Sequence, residues 1–260
     1  MLDLTRIRIA VLPLLLLFSV GTSSASTVTL QPVSDNTLYE GDLANDPTGT
    51  FEDNSCGGGS YIFTGRTLRS FLRRALVEFD IAGNIPAGST ITSASLTLEA
   101  DASIDTQNSN VSLHPVSQDW GEGTVNCDLS GGGKGLEADP GDATWLDAKF
   151  QSVSWTSAGG DFGAASATAS VPPLGTAVWD SGTSPGMLVD LQSWLDTPAG
   201  NEGWLLVGDE TLDSTARRYG SREGSEPPLL VVQFTPPAGI YTCCAADGEC
   251  SLTDTTTCTS

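Results

Sequence analysis

An all-β fold, an antiparallel two-sheet β-sandwich of jelly-roll type with one short helix, is what this sequence predicts, on three observations. Glycine occurs 29 times and proline 14 times, a density that disfavours long helices and favours short strands joined by turns. Short runs of period-two alternation recur along the chain. The stretch Arg73 to Asp80 carries apolar residues on both faces, with Ala75, Val77 and Phe79 on one and Leu76, between Arg74 and Glu78, on the other. A strand of that kind belongs inside a sandwich, covered from both sides.

Residues 1–25 differ from everything after them. Arg6 and Arg8 lead into the apolar run Ile9 to Phe18, and small residues follow up to Ser23, Ser24 and Ala25. That is the form of a secretory signal peptide; the apolar run is too short for a transmembrane span. Secretion to the extracellular space or the cell surface is therefore expected, with no membrane insertion once the leader is removed. Residues 26–235 are read as one sandwich domain, and residues 236–260, opening on Pro236 and Pro237, as a linker and cysteine-rich tail.

Within the domain, Thr27 to Val33 reads as a first strand, and Asp35 to Glu40 as a turn into a second extended piece. Asp42 to Gly59 is a long loop with Cys56 near its tip. Tyr61 to Arg66 and Phe71 to Asp80 are strands. The turn chemistry of Gly83, Asn84, Pro86 and Gly88 then leads into Ile91 to Ala100, where Ala94, Leu96, Leu98 and Ala100 share one side. Val111 to Val116 is a further strand carrying His114, and Trp120 to Lys149 is a long irregular region rich in Gly and Asp. Leu188, Leu191, Trp194 and Leu195 have helical spacing, and Pro198 stops the helix they predict. Gly203 to Gly208 and Leu229 to Thr235 are apolar strands on either side of the polar segment Asp209 to Pro228.

The 260-residue chain has 11 basic and 32 acidic residues; without residues 1–25 it has 9 and 31, a net charge of −22. That balance disfavours nucleic acid and anionic membranes as partners. Six cysteines in an exported chain imply disulfides. Cys56 and Cys127 are expected to pair. Cys243, Cys244, Cys250 and Cys258 are expected to pair among themselves, with two connectivities open because adjacent Cys243 and Cys244 are poorly disposed to bond each other.

The motif residues resemble those of a DNRLRE domain, a β-sandwich module of large secreted and cell-surface proteins. The likeness rests on Asp35-Asn36-Thr37-Leu38-Tyr39-Glu40, on Arg73 to Asp80 with Ile85 to Ile91 following, and on Trp120-Gly121-Glu122-Gly123. It extends to Gly141 to Leu146, Trp194-Leu195, Gly203 to Leu206 and Pro227 to Val231. Thr37 and Tyr39 replace the two arginines of the name-giving motif. The resemblance implies an accessory, non-catalytic module whose relatives include alginate-binding carbohydrate-binding modules. The tail resembles the start of a short cysteine-rich repeat of exported proteins.

His114 is the only histidine, and no G-x-S-x-G elbow lies near it, so a structural or surface role is favoured over a catalytic one. No cofactor is expected. A structural calcium ion would suit so acidic an exported sandwich, with Asp35, Asn36 and Glu40, or Asp139, Asp142 and Asp147, as oxygen donors. No 12-residue calcium loop is present, and solvated carboxylates are the favoured reading. Of the six tryptophans, Trp194 and Trp204 have core neighbours, whereas Trp120, Trp145, Trp155 and Trp179 adjoin Gly, Asp and Ser and are expected to be more exposed, a platform for sugar rings.

The seven arginines beyond the leader form two clusters, Arg66, Arg69, Arg73 and Arg74, and Arg217, Arg218 and Arg222. The two could meet as one basic patch, with Tyr219 beside Arg217, and recognise the carboxylate or sulfate of an acidic polysaccharide. The favoured alternative is structural: Arg74 and Arg218 pair across strands with Glu78, Glu223 or a nearby Asp. The expected function is a non-catalytic module that binds an extracellular polysaccharide or cell-surface polymer, or serves as an adhesive or structural element. A lyase or hydrolase of an acidic glycan is the rival.

Overall fold

The computed structural model describes residues 24–41, 51–237, 241–244 and 250–253. The leader expected over residues 1–25, its last two residues apart, lies outside the described residues. The strands, in chain order, begin with β1 (Ser26–Leu30), β2 (Ser34–Tyr39), β3 (Asn54–Ser55), β4 (Tyr61–Arg66), β5 (Leu72–Glu78), β6 (Thr90–Ser103) and β7 (Ser109–Pro115). Next come β8 (Leu136–Glu137), β9 (Asp147–Lys149), β10 (Val153–Ser154), β11 (Ala167–Val171) and β12 (Gly175–Asp180). The helix α1 (Gly186–Asp196) precedes β13 (Trp204–Val207), β14 (Arg217–Gly220) and β15 (Leu229–Thr235). A tail hairpin follows, β16 (Tyr241–Cys244) on β17 (Cys250–Thr253). The side chains of Cys243, Cys244 and Cys250, and all of Cys258, lie outside the description, and the expected tail disulfides with them.

The fold is an all-β, antiparallel sandwich. One sheet is built on the long β6, which pairs with β12 along one edge and with β15 and then β14 along the other. β1 continues it beyond β15, and β4 beyond β14. The other sheet runs β2, β5, β13, β7, β11. β4 belongs to both, because its last residues turn back onto Leu72 and Arg73 of β5. The corner is tight: a Cβ on Gly208, at the end of β13, would lie 2.6 Å from the Gly65 Cα. Only glycine allows two backbones so close.

Alternation places the predicted residues inward. Ala75, Val77 and Phe79 from one sheet meet Leu96, Leu98, Leu230, Val232 and Phe234 from the other. A register shift opposite Gln233 and Phe234 lets Ile91 as well as Ala94 face the core, although the two differ in parity. The helix closes one end with Met187, Leu191, Trp194 and Leu195, and the Trp194 ring lies 4.8 Å from that of Trp204. Among the described residues no helix is long and apolar enough to cross a membrane.

The outer face of the second sheet is also apolar, and it is not left to water. Leu38, Leu76 and Leu205 project from β2, β5 and β13 into a second core made with Val116, Trp120, Ala143, Trp145, Ala148 and Trp155. The region between β7 and β11 thus forms a third layer. Trp120, Trp145 and Trp155 are 7%, 5% and 6% exposed, and Trp179, inside the sandwich, is 1% exposed. The expectation that these four are accessible is overturned. Their neighbours in sequence are polar, but the rings face the sheet, and each N–H of Trp120, Trp155 and Trp179 reaches a backbone carbonyl. No sugar platform can be made of them.

The third layer is tied down at several points. Cys56 and Cys127 are bonded, with Cα atoms 5.6 Å apart, as expected. β3 pairs with β8. Asn36, fully buried, donates to Ser55 Oγ (2.8 Å) and to the Glu122 carbonyl (2.7 Å), and its Oδ1 accepts the N–H of Cys56 (3.1 Å).

Two stability predictions follow from the layered packing. Leu76→Ala should cost about 2–4 kcal/mol in chemical denaturation, the range for a large-to-small change in a packed core. A loss under about 1 kcal/mol would mean that the outer face is not a core. Replacing both Cys56 and Cys127 by Ser frees a loop of 71 residues and should cost up to about 4 kcal/mol, read from the same curves.

Candidate functional site

The two arginine clusters meet in part: Arg73 of the first and Arg217 and Arg218 of the second come together where β4, β5, β6 and β14 meet at the corner between the sheets, whereas Arg66, Arg69, Arg74 and Arg222 do not line that cavity. Arg73, Arg217 and Arg218 line one surface cavity of about 300 Å3 with Phe63, Leu68, Ala102 and Ile104. Leu68 and Ile104 form its rim, 71% and 62% exposed. Arg69 is exposed on the turn beside Leu68.

Most of this positive charge is already committed. Arg217 is fully buried; its guanidinium donates to Ser103 Oγ (2.7 Å) and the Gln107 carbonyl (2.6 Å), and lies 3.3 Å from Asp105 Oδ2. Arg218 makes a two-pronged pair with Asp101 (2.8 and 2.9 Å) and stacks on the Tyr61 ring at 3.9 Å. Arg73 is buried over the Tyr39 ring and donates to the carbonyls of Gly133, Glu40 and Leu72. Burial lowers its pKa to about 10. The Tyr39 hydroxyl donates to the Gly132 carbonyl (2.9 Å), so Arg73 and Tyr39 together hold the glycine-rich loop against β2.

Arg66 pairs with Asp213 (2.9 Å). Arg74 lies between the rings of Trp145 and Phe162, bonds the Gly159 carbonyl, and pairs two-pronged with Glu210 (2.7 and 3.0 Å). The structural account of the arginines therefore holds for these pairs, with one change of partner: Arg218 takes a nearby Asp, Asp101, as expected, but Arg74 takes Glu210 rather than Glu78. Tyr219 sits in the core, fully buried, its hydroxyl 3.4 Å from that of Thr64, and burial lifts its pKa to about 12. It is out of reach of a ligand.

Without Arg74, Glu78 faces other carboxylates. Burial first, and then the negative charges of Glu202, Asp119 and Asp80, raise its pKa to about 7. At the same end, Lys149 pairs with Asp119 at 2.5 Å.

The acidic donors suggested by the sequence do not assemble as expected. Asn36 spends its side chain on the loop layer, and Glu40 Oε2 accepts the Leu72 N–H at 2.8 Å, so neither joins Asp35. Asp35 instead meets Glu122 and Glu223, with one carboxylate oxygen of each within 4.8 Å of the others. Asp35 is fully buried, and burial raises its pKa to about 8 against the Arg222 N–H bonded to it. Arg222 spans the two glutamates. This trio was missed because its members lie far apart in sequence. Asp139 and Asp142 are joined locally, Asp142 Oδ2 accepting the Asp139 N–H, and Asp147 accepts the Ser154 hydroxyl.

His114 lies on β7 beside Ser112, with Nε2 2.8 Å from the Ser112 hydroxyl and Nδ1 2.9 Å from the Gly163 carbonyl. If Nδ1 carries the proton it donates to that carbonyl, and the serine donates to Nε2. Neither residue lines the arginine cavity. No protein-family model matches this chain, and a search of curated proteins found no match.

The Glu78 environment generates a pH prediction. A carboxyl whose folded pKa is raised keeps its proton in the folded state after the unfolded chain has lost it. Its contribution therefore falls as pH rises from about 4.5 to about 7 and is level above that. Glu78→Gln should remove this fall, gaining about 1–2 kcal/mol over wild type at pH 8 relative to pH 4 after allowance for solvent screening. Urea unfolding of both proteins at the two pH values checks it; equal differences would refute it.

Proposed function

We propose that this chain is an exported, non-catalytic β-sandwich module of the cell surface or its surroundings, and that it binds a polysaccharide at the cavity where Arg73, Arg217 and Arg218 converge. The observation that carries the reading is that convergence: Arg73, Arg217 and Arg218, from distant parts of the sequence, meet beneath the apolar rim of Leu68 and Ile104. Apolar walls with a few fixed polar groups suit the apolar face of a sugar ring and its hydroxyls. Because the guanidinium groups are paired with Asp101 and Asp105, little free positive charge remains for a polyanion. The acidic surface repels one as well, over a Debye length of about 8–10 Å. A neutral or sparsely charged glycan is the better fit.

Export is supported by the leader-like residues 1–25 and by the Cys56–Cys127 disulfide, which persists in oxidising compartments. The DNRLRE-like motifs agree with an accessory module. The rival reading, a glycan lyase or hydrolase, has the Ser112–His114 hydrogen bond in its favour, but that pair lies outside the cavity.

The test is a panel of immobilised neutral and uronate glycans, scored for protein retention and for released chain ends. Retention on at least one glycan without new ends is expected, and Leu68→Asp with Ile104→Asp should reduce it at least tenfold. Both side chains are exposed, so the fold should survive. Released ends, or unchanged retention of the double variant, would overturn the proposal.

A further inference from the structure

The Asp35, Glu122 and Glu223 cluster lies on a different part of the molecule and does not depend on the glycan reading. We propose that these three carboxylates form a site for one divalent cation of the calcium class, and that the Arg222 guanidinium substitutes for the cation when none is bound.

Three observations point to it. The residues come from β2, from the loop after β7 and from the turn after β14, yet one carboxylate oxygen of each lies within 4.8 Å of the others. Oxygens bound to one calcium ion at about 2.4 Å lie at most about 4.8 Å apart, whereas magnesium at about 2.1 Å demands a tighter set. Second, Asp35 is fully buried and its Oδ1 has no hydrogen-bond partner, while Oδ2 accepts the Arg222 backbone N–H at 2.5 Å. A buried acceptor without a donor is rare and costs several kcal/mol if charged. Here the orphan oxygen is carried by the buried member of the cluster.

Third, the neighbouring cation serves only part of the cluster. Arg222 bonds Glu122 through Nε (3.0 Å) and a terminal nitrogen (2.8 Å), and the same nitrogen reaches Glu223 at 2.6 Å. It gives Asp35 its backbone N–H alone. With all three acids ionised the cluster carries −3, of which the one guanidinium offsets a single charge, whereas a divalent ion in its place offsets two. Carboxylate oxygens without nitrogen or sulfur select hard cations. Glu122 is positioned for the ion by the Asp35 N–H, which donates to its Oε1 at 2.9 Å. Arg222 is exposed, so its guanidinium is free to swing into water as the ion enters.

The experiment is calcium titration of the full chain by isothermal calorimetry, with thermal melts in chelator and in calcium, for wild type, Asp35→Asn, Glu223→Gln and Arg222→Gln. Wild type should bind one calcium per chain and melt higher in calcium than in equimolar magnesium. Arg222→Gln, with no internal cation to displace, should bind at least tenfold tighter. Asp35→Asn and Glu223→Gln should each bind at least tenfold weaker. Glu223 is exposed, so its variant gives the answer even where a change at the buried position disturbs folding. Absence of saturable binding in both wild type and Arg222→Gln would overturn the proposal. So would a Glu223→Gln protein that binds as wild type does, since the ion would then be held by other carboxylates of this acidic surface.

Discussion

A sheet with apolar residues on both faces has to be covered twice, and most of this structure answers that requirement. β5 sends Ala75 and Val77 into the sandwich and Leu76 to the opposite side, where Leu38 and Leu205 join it. Leaving that second face wet would expose several large aliphatic side chains, each contributing about 1.5–3 kcal/mol when buried. The region between β7 and β11 supplies the cover. It lacks long strands, so side-chain to backbone bonds do the fastening: Asn36, Arg73, Arg74 and Tyr39 each hold a loop carbonyl. The cysteine pair belongs to the same set.

The cations follow the same logic. In so acidic a chain, free arginines would be conspicuous, but these are placed where a planar, five-donor group can satisfy several acceptors at once. Arg73 answers three backbone carbonyls without any carboxylate, and Arg217 ties β14 to the turn that follows β6. Pairing two carboxylates with one arginine at Glu122 and Glu223 leaves a local excess of negative charge, in contrast to the one-to-one pairs elsewhere.

What could be read in the sequence was local. The alternation of β5 and β6, the helical spacing ended by Pro198, and the isolated pair Cys56 and Cys127 each act through near neighbours or a single strong constraint. The misjudged tryptophans show the limit. Trp120, Trp145 and Trp155 sit among Gly, Asp and Ser, and no periodicity reports that a distant sheet will lie beneath them. β14 was hidden because Arg217-Arg218-Tyr219 looks polar, although both Arg217 and Tyr219 are buried. The Asp35 cluster joins residues 87 positions apart and more, and no spacing rule spans that distance. The convergence of the arginines was foreseen as one of two outcomes, while their pairing depended on which carboxylates the corner brought near.

The pairing of the first and last sandwich strands has a mechanical consequence. β1 lies antiparallel to β15 with Ser26 opposite Phe234, so the backbone enters and leaves the sandwich at the same end of one ladder. Tension applied through both connections would separate those two strands rung by rung, opening one hydrogen bond at a time instead of shearing the ladder as a whole. Yielding at the margin would not become wholesale unravelling, because the Cys56–Cys127 link encloses β4, β5, β6 and β7 and keeps that stretch from paying out. Under pull, such a body would give way early at its rim, while the stretch inside the disulfide stays covalently withheld from the extension.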